Sequence, residues 1–113
     1  MIFDYSQLQG FRANIKIHSS CELVSLANQV SQALLIPDFH IEHAEQPPYN
    51  IVASNEVLGS ELWLEKSVDS SDVYLLSMES EHCFASELDN PYHDVSLWLA
   101  RFLSDIAKLD VSI

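Results

Sequence analysis

The chain of 113 residues is long enough to bury a core without metal or disulfide staples, and its 48% hydrophobic residues argue against intrinsic disorder. Seventeen acidic residues against five basic ones give a formal charge of −12, which excludes a cationic stripe for nucleic acid and disfavours an anionic membrane surface. Such a charge favours encounter with cationic proteins, although it is also the ordinary means by which a protein stays dispersed.

Cysteine use and the missing export signals indicate the compartment. Cys21 and Cys83 lie far apart and in no spacing typical of a metal or redox site. The first residues lack the basic start and apolar run of a signal peptide, and no apolar stretch approaches the ~20 residues that span a bilayer. We therefore expect residues 1–113 to form one cytoplasmic domain with reduced thiols.

The first two predicted elements are a strand and a helix. Residues 11–18 alternate between apolar and polar, which is typical of a strand with one wet face. Ser19 and Glu22 have the spacing of a capping box, with Ser19 as the N-cap, and apolar residues then recur at helical spacing. Because proline disfavours the helical conformation of the residue before it, Pro37 ends this helix, which is predicted over residues 20–35.

A series of strands follows the first helix. Apolar and polar residues alternate again, and turn-forming residues such as Pro47 and Pro48 separate the segments. The predicted strands cover residues 39–43, 51–58, 61–66 and 73–78. The last of them is apolar on both faces, which indicates a strand that is covered on both sides or lies at the centre of the sheet. Together these segments predict an antiparallel meander.

The last part of the chain is predicted to be a polar loop and a second helix. Residues 79–90 are mostly polar, and Asn90 with Pro91 is a typical helix start. A wide apolar stripe then recurs at helical spacing, formed by Val95, Trp98, Leu99, Phe102, Leu103, Ile106 and Leu109. The predicted fold class is α+β: a mostly antiparallel sheet of four to five strands with two helices, at about residues 20–35 and 91–109, packed on one face.

Histidines and cysteines are weak candidates for a metal or nucleophilic site. His40 and His43 could share a metal ion on a helix, but in a strand their odd separation sends them to opposite faces. Cys83 could act as a nucleophile with His82 or His93 as its base, but the neighbouring carboxylates disfavour a thiolate. We therefore expect neither a metal site nor cysteine catalysis.

Paired carboxylates are numerous but give no clear sign of hydrolysis. Glu61 and Glu65 share a strand face, and Asp69 and Asp72 share the next turn. A hydrolytic pair needs one desolvated carboxyl beside an ionised one, and nothing in the sequence buries one of these selectively. Phosphate-binding glycine loops, dinucleotide fingerprints and Ser-His-Asp arrangements are also missing. We expect a protein that is not an enzyme and needs no cofactor, although a small hydrolase stays an alternative.

The acidic residues suggest a partner-binding surface. Glu61, Trp63 and Glu65 place an aromatic anchor between two anions, where it could meet a partner's arginine or lysine. Trp63 could instead lie beneath the second helix or the N-terminal segment. A second acidic cluster after residue 78 could contact a basic partner or be a plain solvated loop. The partner-binding candidates are Glu61, Trp63, Glu65, Glu79, Glu81, Glu87 and Asp89.

In length, acidity and mixed topology the chain resembles bacterial immunity proteins, the cognate inhibitors of toxins delivered by contact-dependent growth inhibition or type VI systems. The resemblance extends over the whole chain and is one of profile, without a diagnostic motif. It implies a one-to-one complex with a basic toxin domain, often a nuclease, whose substrate site the acidic face would occupy in place of phosphates. From the charge balance we expect no binding to nucleic acid or membrane.

Residues 20–67 also resemble the opening of type III secretion chaperones, which are small acidic α+β proteins that begin with a helix and three strands. The chain departs from that pattern afterwards, since neither a dimerisation helix nor a further strand pair precedes the last helix. This second resemblance implies a homodimer that binds a secreted client through apolar grooves, whereas an immunity protein usually acts as a monomer.

Overall fold

The computed structural model describes residues 10–45, 51–57, 59–80 and 92–113. These residues form an α+β fold, as predicted, with two helices and a seven-stranded sheet. In chain order the elements are β1 (Gly10–His18), α1 (Leu23–Leu34), β2 (His40–His43), β3 (Ile51–Val57), β4 (Ser60–Lys66), β5 (Val73–Ser80), β6 (Tyr92–Asp94), α2 (Ser96–Ala107) and β7 (Asp110–Ser112). The sheet has more strands than the four to five predicted, because β6 and β7 were not expected.

The sheet is mostly antiparallel, as predicted. Its order is β2-β3-β4-β5-β1-β6, and β7 also pairs with β1, beyond the end of β6. Only the β1–β6 pairing is parallel among the described strands. β5 lies between β4 and β1, so the prediction that this strand is central is confirmed.

Both helices pack on one face of the sheet. α1 contacts β3 and β4, α2 contacts β1 and β7, and the two helices contact each other. The alternating strands send one set of side chains toward these helices. The buried core contains Ala13, Ile15, Ile17, Ala53, Leu62, Leu64, Tyr74 and Leu76 from the sheet, and Leu26, Ala27, Val30, Leu99, Ala100 and Leu103 from the helices.

The other face of the sheet, which we call the open face, is covered by neither helix. Leu75 shows this, because its side chain points away from the buried Tyr74 and Leu76 and is 36% exposed. The alternative that this strand is covered on both sides is therefore wrong. Neither of the two described helices is long and apolar enough to cross a membrane.

The predicted capping box of α1 is wrong, and the helix begins at Leu23 rather than at residue 20. Within the described residues Glu22 is the N-cap and makes no side-chain capping bond. The Ser19 hydroxyl oxygen instead accepts a hydrogen bond from the Cys21 backbone N–H at 3.1 Å. Long-range bonds hold this turn against β5, since the Tyr74 hydroxyl donates to the Cys21 carbonyl at 2.6 Å.

The end of α1 agrees with the sequence. Leu35 adopts the left-handed conformation with φ of 56°, and its N–H donates back to the last turn of the helix. Pro37 follows two residues later, where it prevents the helix from continuing.

α2 begins at Ser96, not at residue 91 as the Asn-Pro signal predicted. Residues 92–94 are recruited into the sheet as β6, parallel to the start of β1. Val95 is the N-cap, and Asp94 just before it holds the helix start: its Oδ1 accepts hydrogen bonds from the Ser96 N–H at 2.9 Å and the Ser96 hydroxyl at 2.5 Å. The same Ser96 oxygen accepts from the Asn14 N–H at 2.9 Å, which fixes the helix start to β1.

The predicted apolar stripe of α2 is only partly buried. Leu99 and Leu103 belong to the core, but Trp98 is 58% and Ile106 59% exposed. Ser96 and Ala100 face the core instead, so small residues occupy the close contacts of this helix.

A candidate binding surface on the open face of the sheet

The alternation of β4 places the predicted surface residues on the open face. Leu62 and Leu64 point into the core, while Trp63 and Glu65 point outward and Glu61 is half-buried on the same outer side. The prediction that Glu61 and Glu65 share one face of this strand is confirmed. Trp63 is 39% exposed, and because α2 packs on the opposite face, the alternative that Trp63 lies beneath that helix is wrong.

The sheet register assembles three glutamates beside Trp63. Glu56 of β3 lies directly opposite Glu61 of β4, and Glu61 lies directly opposite Glu79 of β5. We call these three residues the glutamate row. Directly opposite side chains have Cβ atoms about 5 Å apart, and like charges at that spacing destabilise a sheet. The row is therefore a concentration of negative charge that the fold tolerates at some loss of stability.

Arg12 of β1 continues the same row on its far side. It lies opposite Glu79 in the antiparallel pairing and opposite Asp94 in the parallel one. The Ser96 hydroxyl, then the Ser96 N–H, and then the charge of Arg12 hold the pKa of Asp94 below its ordinary value of 3.8. Arg12 therefore lies between two carboxylates, Glu79 and Asp94, whereas Glu56 and Glu61 have no cation opposite them in the described register.

Trp63 separates two shallow pockets on the open face. One, of about 390 Å³, extends toward β1 and is lined by Arg12, Asn14, Glu61, Trp63, Ser77 and Glu79 among others. The second, also about 390 Å³, extends toward β2 and is lined by Asp38, His40, Glu42, Ser54, Glu56 and Trp63 among others. The indole N–H of Trp63 donates to Glu61 Oε2 at 3.4 Å, which orients the ring between the two pockets.

The two pockets present carboxylates and an indole ring to a ligand. Each pocket has an aromatic wall and carboxylates, which is the combination that binds lysine or arginine side chains. A hydrolytic pair needs one desolvated carboxyl, but Glu79 is exposed and Glu61 is only half-buried.

The predicted contact residues divide into three groups. Glu61, Trp63 and Glu79 come together at the first pocket, and Glu61 and Trp63 also line the second. Glu65 lies on the same face one row beyond Trp63, opposite Val52 and Leu75, and lines a separate apolar pocket. Glu81, Glu87 and Asp89 lie outside the described residues.

Three members of the surface were not predicted. Glu42, Glu56 and Arg12 reach the open face through strand pairing. Alternation within each segment places these side chains on one side, but only the register between strands shows that Glu56 and Arg12 lie in the row of Glu61 and Glu79. This register depends on contacts between residues that are far apart in the sequence.

The histidine and cysteine candidates lie only partly within the described residues. His40 and His43 lie in β2, as predicted, where their three-residue separation turns them to opposite faces. No group of three metal-ligating side chains is present among the described residues. His93 is described and exposed, while His82 and Cys83 lie outside the described residues.

No protein-family model matches the chain, and neither a curated protein nor a solved structure matches it.

Proposed function

We propose that this protein is a binding protein that holds a basic protein partner on the open face of its sheet. One observation carries the proposal: the half-exposed Trp63 stands beside directly opposed like charges, Glu61 and Glu79. A lysine or arginine from the partner would neutralise these carboxylates and contact the indole ring. The partner's cation thus removes a repulsion that the unbound fold contains.

We propose further that the partner is a cognate toxin domain, possibly a nuclease, and that the protein is its cytoplasmic immunity protein. The formal charge of −12 supports this, because it accelerates encounter with a cationic protein and repels acidic competitors. In a toxin that binds nucleic acid, the glutamate row would take the place of phosphates and block the substrate site. The protein would act by occupancy, one to one, without catalysis, cofactor or membrane contact.

A type III secretion-type chaperone is the second candidate, and a different pocket favours it. An apolar pocket of about 710 Å³ lies where α1 meets the ends of β3 and β4, lined by Leu23, Val24, Ile51, Val68 and Leu75 among others. A secreted client with an amphipathic segment would fit such a pocket. The turn that joins β4 directly to β5 departs from the chaperone pattern, which has a dimerisation helix there.

The experiment that separates these candidates is affinity capture from the source organism's lysate, with low-salt and high-salt washes. The chain contains two tryptophans, and Trp98 on α2 supplies a matched control for Trp63. We expect the wild-type protein to capture one basic protein at equal stoichiometry. The Trp63→Ala variant should no longer capture it, whereas the Trp98→Ala variant should. A captured amphipathic client that Trp63→Ala still binds would contradict the proposal and support the chaperone.

A further inference from the structure

The outward side of α2 has an exposed apolar row. Trp98, Phe102 and Ile106 succeed one another at four-residue spacing, which aligns them on one side of a helix. Trp98 is 58% and Ile106 59% exposed, and the Phe102 side chain is half-buried. Leu97, 65% exposed, begins a parallel row that continues with Arg101 and Asp105. We call these six residues the α2 outer face.

The α2 outer face is organised before anything binds to it. The rings of Trp98 and Phe102 pack with their centroids 5.5 Å apart and tilted by 30°. They border a shallow depression of about 440 Å³ that Leu97, Arg101 and Asp105 complete. Large apolar side chains held in one arrangement are typical of interface anchors, because little side-chain entropy is lost when they are covered.

We infer that the α2 outer face binds the same face of a second copy of this chain, with the two α2 helices antiparallel about a twofold axis at Phe102. Trp98 and Ile106 lie four residues before and after Phe102, or about 6 Å along the helix on either side. A twofold axis at Phe102 therefore places Trp98 of one copy on Ile106 of the other, and Phe102 on its own equivalent. The apolar row is complementary to itself.

The charges of this face also select a second copy. In the antiparallel arrangement Arg101 lies about 3 Å along the axis from Asp105 of the other copy, which is within the reach of an arginine side chain. One cation and one anion leave the face without net charge, on a chain whose formal charge is −12. A cationic partner is attracted to the glutamate row instead, and an acidic copy is repelled by every strongly acidic surface. The α2 outer face is where two copies can meet.

The α2 outer face is small for a protein–protein interface. α2 has 12 residues and is therefore about 18 Å long. A contact limited to one helix of that length is small beside the ~800 Å² per partner of a standard stable interface. The dimer is accordingly weak and reversible.

This dimer does not depend on the proposed function. Leu99 and Leu103 of α2 face the core, so the α2 outer face points away from the sheet, on the side opposite the open face. Both surfaces can be occupied at the same time. Their salt dependences also differ in sign: screening weakens the contact of a cationic partner with the glutamate row, but it tightens the dimer by reducing repulsion between two acidic chains.

Sedimentation velocity of the full chain over a concentration series tests the inference. We expect a monomer–dimer equilibrium whose dissociation constant decreases as salt rises from about 0.05 to 0.5 M. Trp98→Ala should raise that constant about tenfold or more, as expected for a central aromatic anchor. Trp63→Ala, on the open face, should leave it unchanged. A monomer at every concentration up to about 0.5 mM, or a dimer that Trp98→Ala does not weaken, overturns the inference.

Charge exchange tests the antiparallel register separately. Arg101→Asp and Asp105→Arg should each weaken the dimer, because each places like charges across the twofold axis. The double variant exchanges the two charges and should restore the wild-type dissociation constant. Circular dichroism of all three variants reports whether the helix is intact. A folded double variant that stays as weak as the single variants contradicts the register and overturns the inference.

Discussion

Glu61→Gln should stabilise the unbound protein. Glu61 has a glutamate directly opposite on each side, Glu56 and Glu79, and both pairs are repulsive. Directly opposite like charges cost roughly 0.2–1 kcal/mol per pair, so neutralising Glu61 should raise the free energy of unfolding by about 1 kcal/mol. For a domain of this size that corresponds to a rise in Tm of about 4 °C. Glutamine keeps the side-chain length and an oxygen that can accept from the Trp63 indole.

Glu65→Gln is the matched control for this prediction. Glu65 lies on the same strand and the same face, but Val52 and Leu75 are opposite it, so removing its charge relieves no glutamate pair. Urea unfolding at low ionic strength measures both variants, and added salt should reduce the gain of Glu61→Gln. Equal changes for the two variants, or a loss of stability in Glu61→Gln, would refute the account of the glutamate row.

Three further substitutions test the contacts that position the sheet and helices. Tyr74→Phe should lower the free energy of unfolding by about 1 kcal/mol, because it removes the hydrogen bond to the Cys21 carbonyl; an unchanged urea midpoint would contradict this. Ser96→Ala should lower the Tm through loss of the bonds to Asp94 and Asn14, whereas Ser104→Ala, at an exposed site on the same helix, should not. Asp94→Asn should destabilise the protein at neutral pH. The lowered pKa of Asp94 means that its stabilisation is fully present above the unfolded value of 3.8 and is lost as pH falls through the folded pKa. The gap in Tm between wild type and Asp94→Asn should therefore close below pH 3.8, and a gap that is independent of pH would contradict the capping role.

Local periodicity was sufficient for much of the fold. β1, β4 and β5 are long enough for apolar alternation to identify them and their buried faces. β6 and β7 have three residues each, too few for any period, and they form because they pair with the longer β1. Both helices begin later than predicted, since contacts with distant residues decide their starts. Tyr74 and Asp72 hold the turn before α1, and the sheet takes residues 92–94.

Part of the candidate surface could be predicted from single strands, and the rest depends on how the strands pair. The outward placement of Glu61, Trp63 and Glu65 follows from alternation along a single strand. Which residues stand beside Trp63 depends on the register between strands, so Glu56 and Arg12 could not be assigned from the sequence. For the same reason alternation alone groups Glu65 with Glu61, although the sheet places Glu65 beside the apolar Val52 and Leu75.

The most direct test of whether the open face is the binding site measures the binding of the captured basic protein to two charge-reversed variants. Glu61→Lys/Glu79→Lys alters the glutamate row, and Asp69→Lys/Asp72→Lys alters the turn between β4 and β5. Each double variant raises the formal charge by four from −12, so the two have equal net charge. We predict that titration calorimetry finds binding lost in the first variant and retained, at equal stoichiometry, in the second. Equal affinity of the two variants, or the absence of any basic partner for the wild-type protein, would contradict the claim that the open face is the binding site.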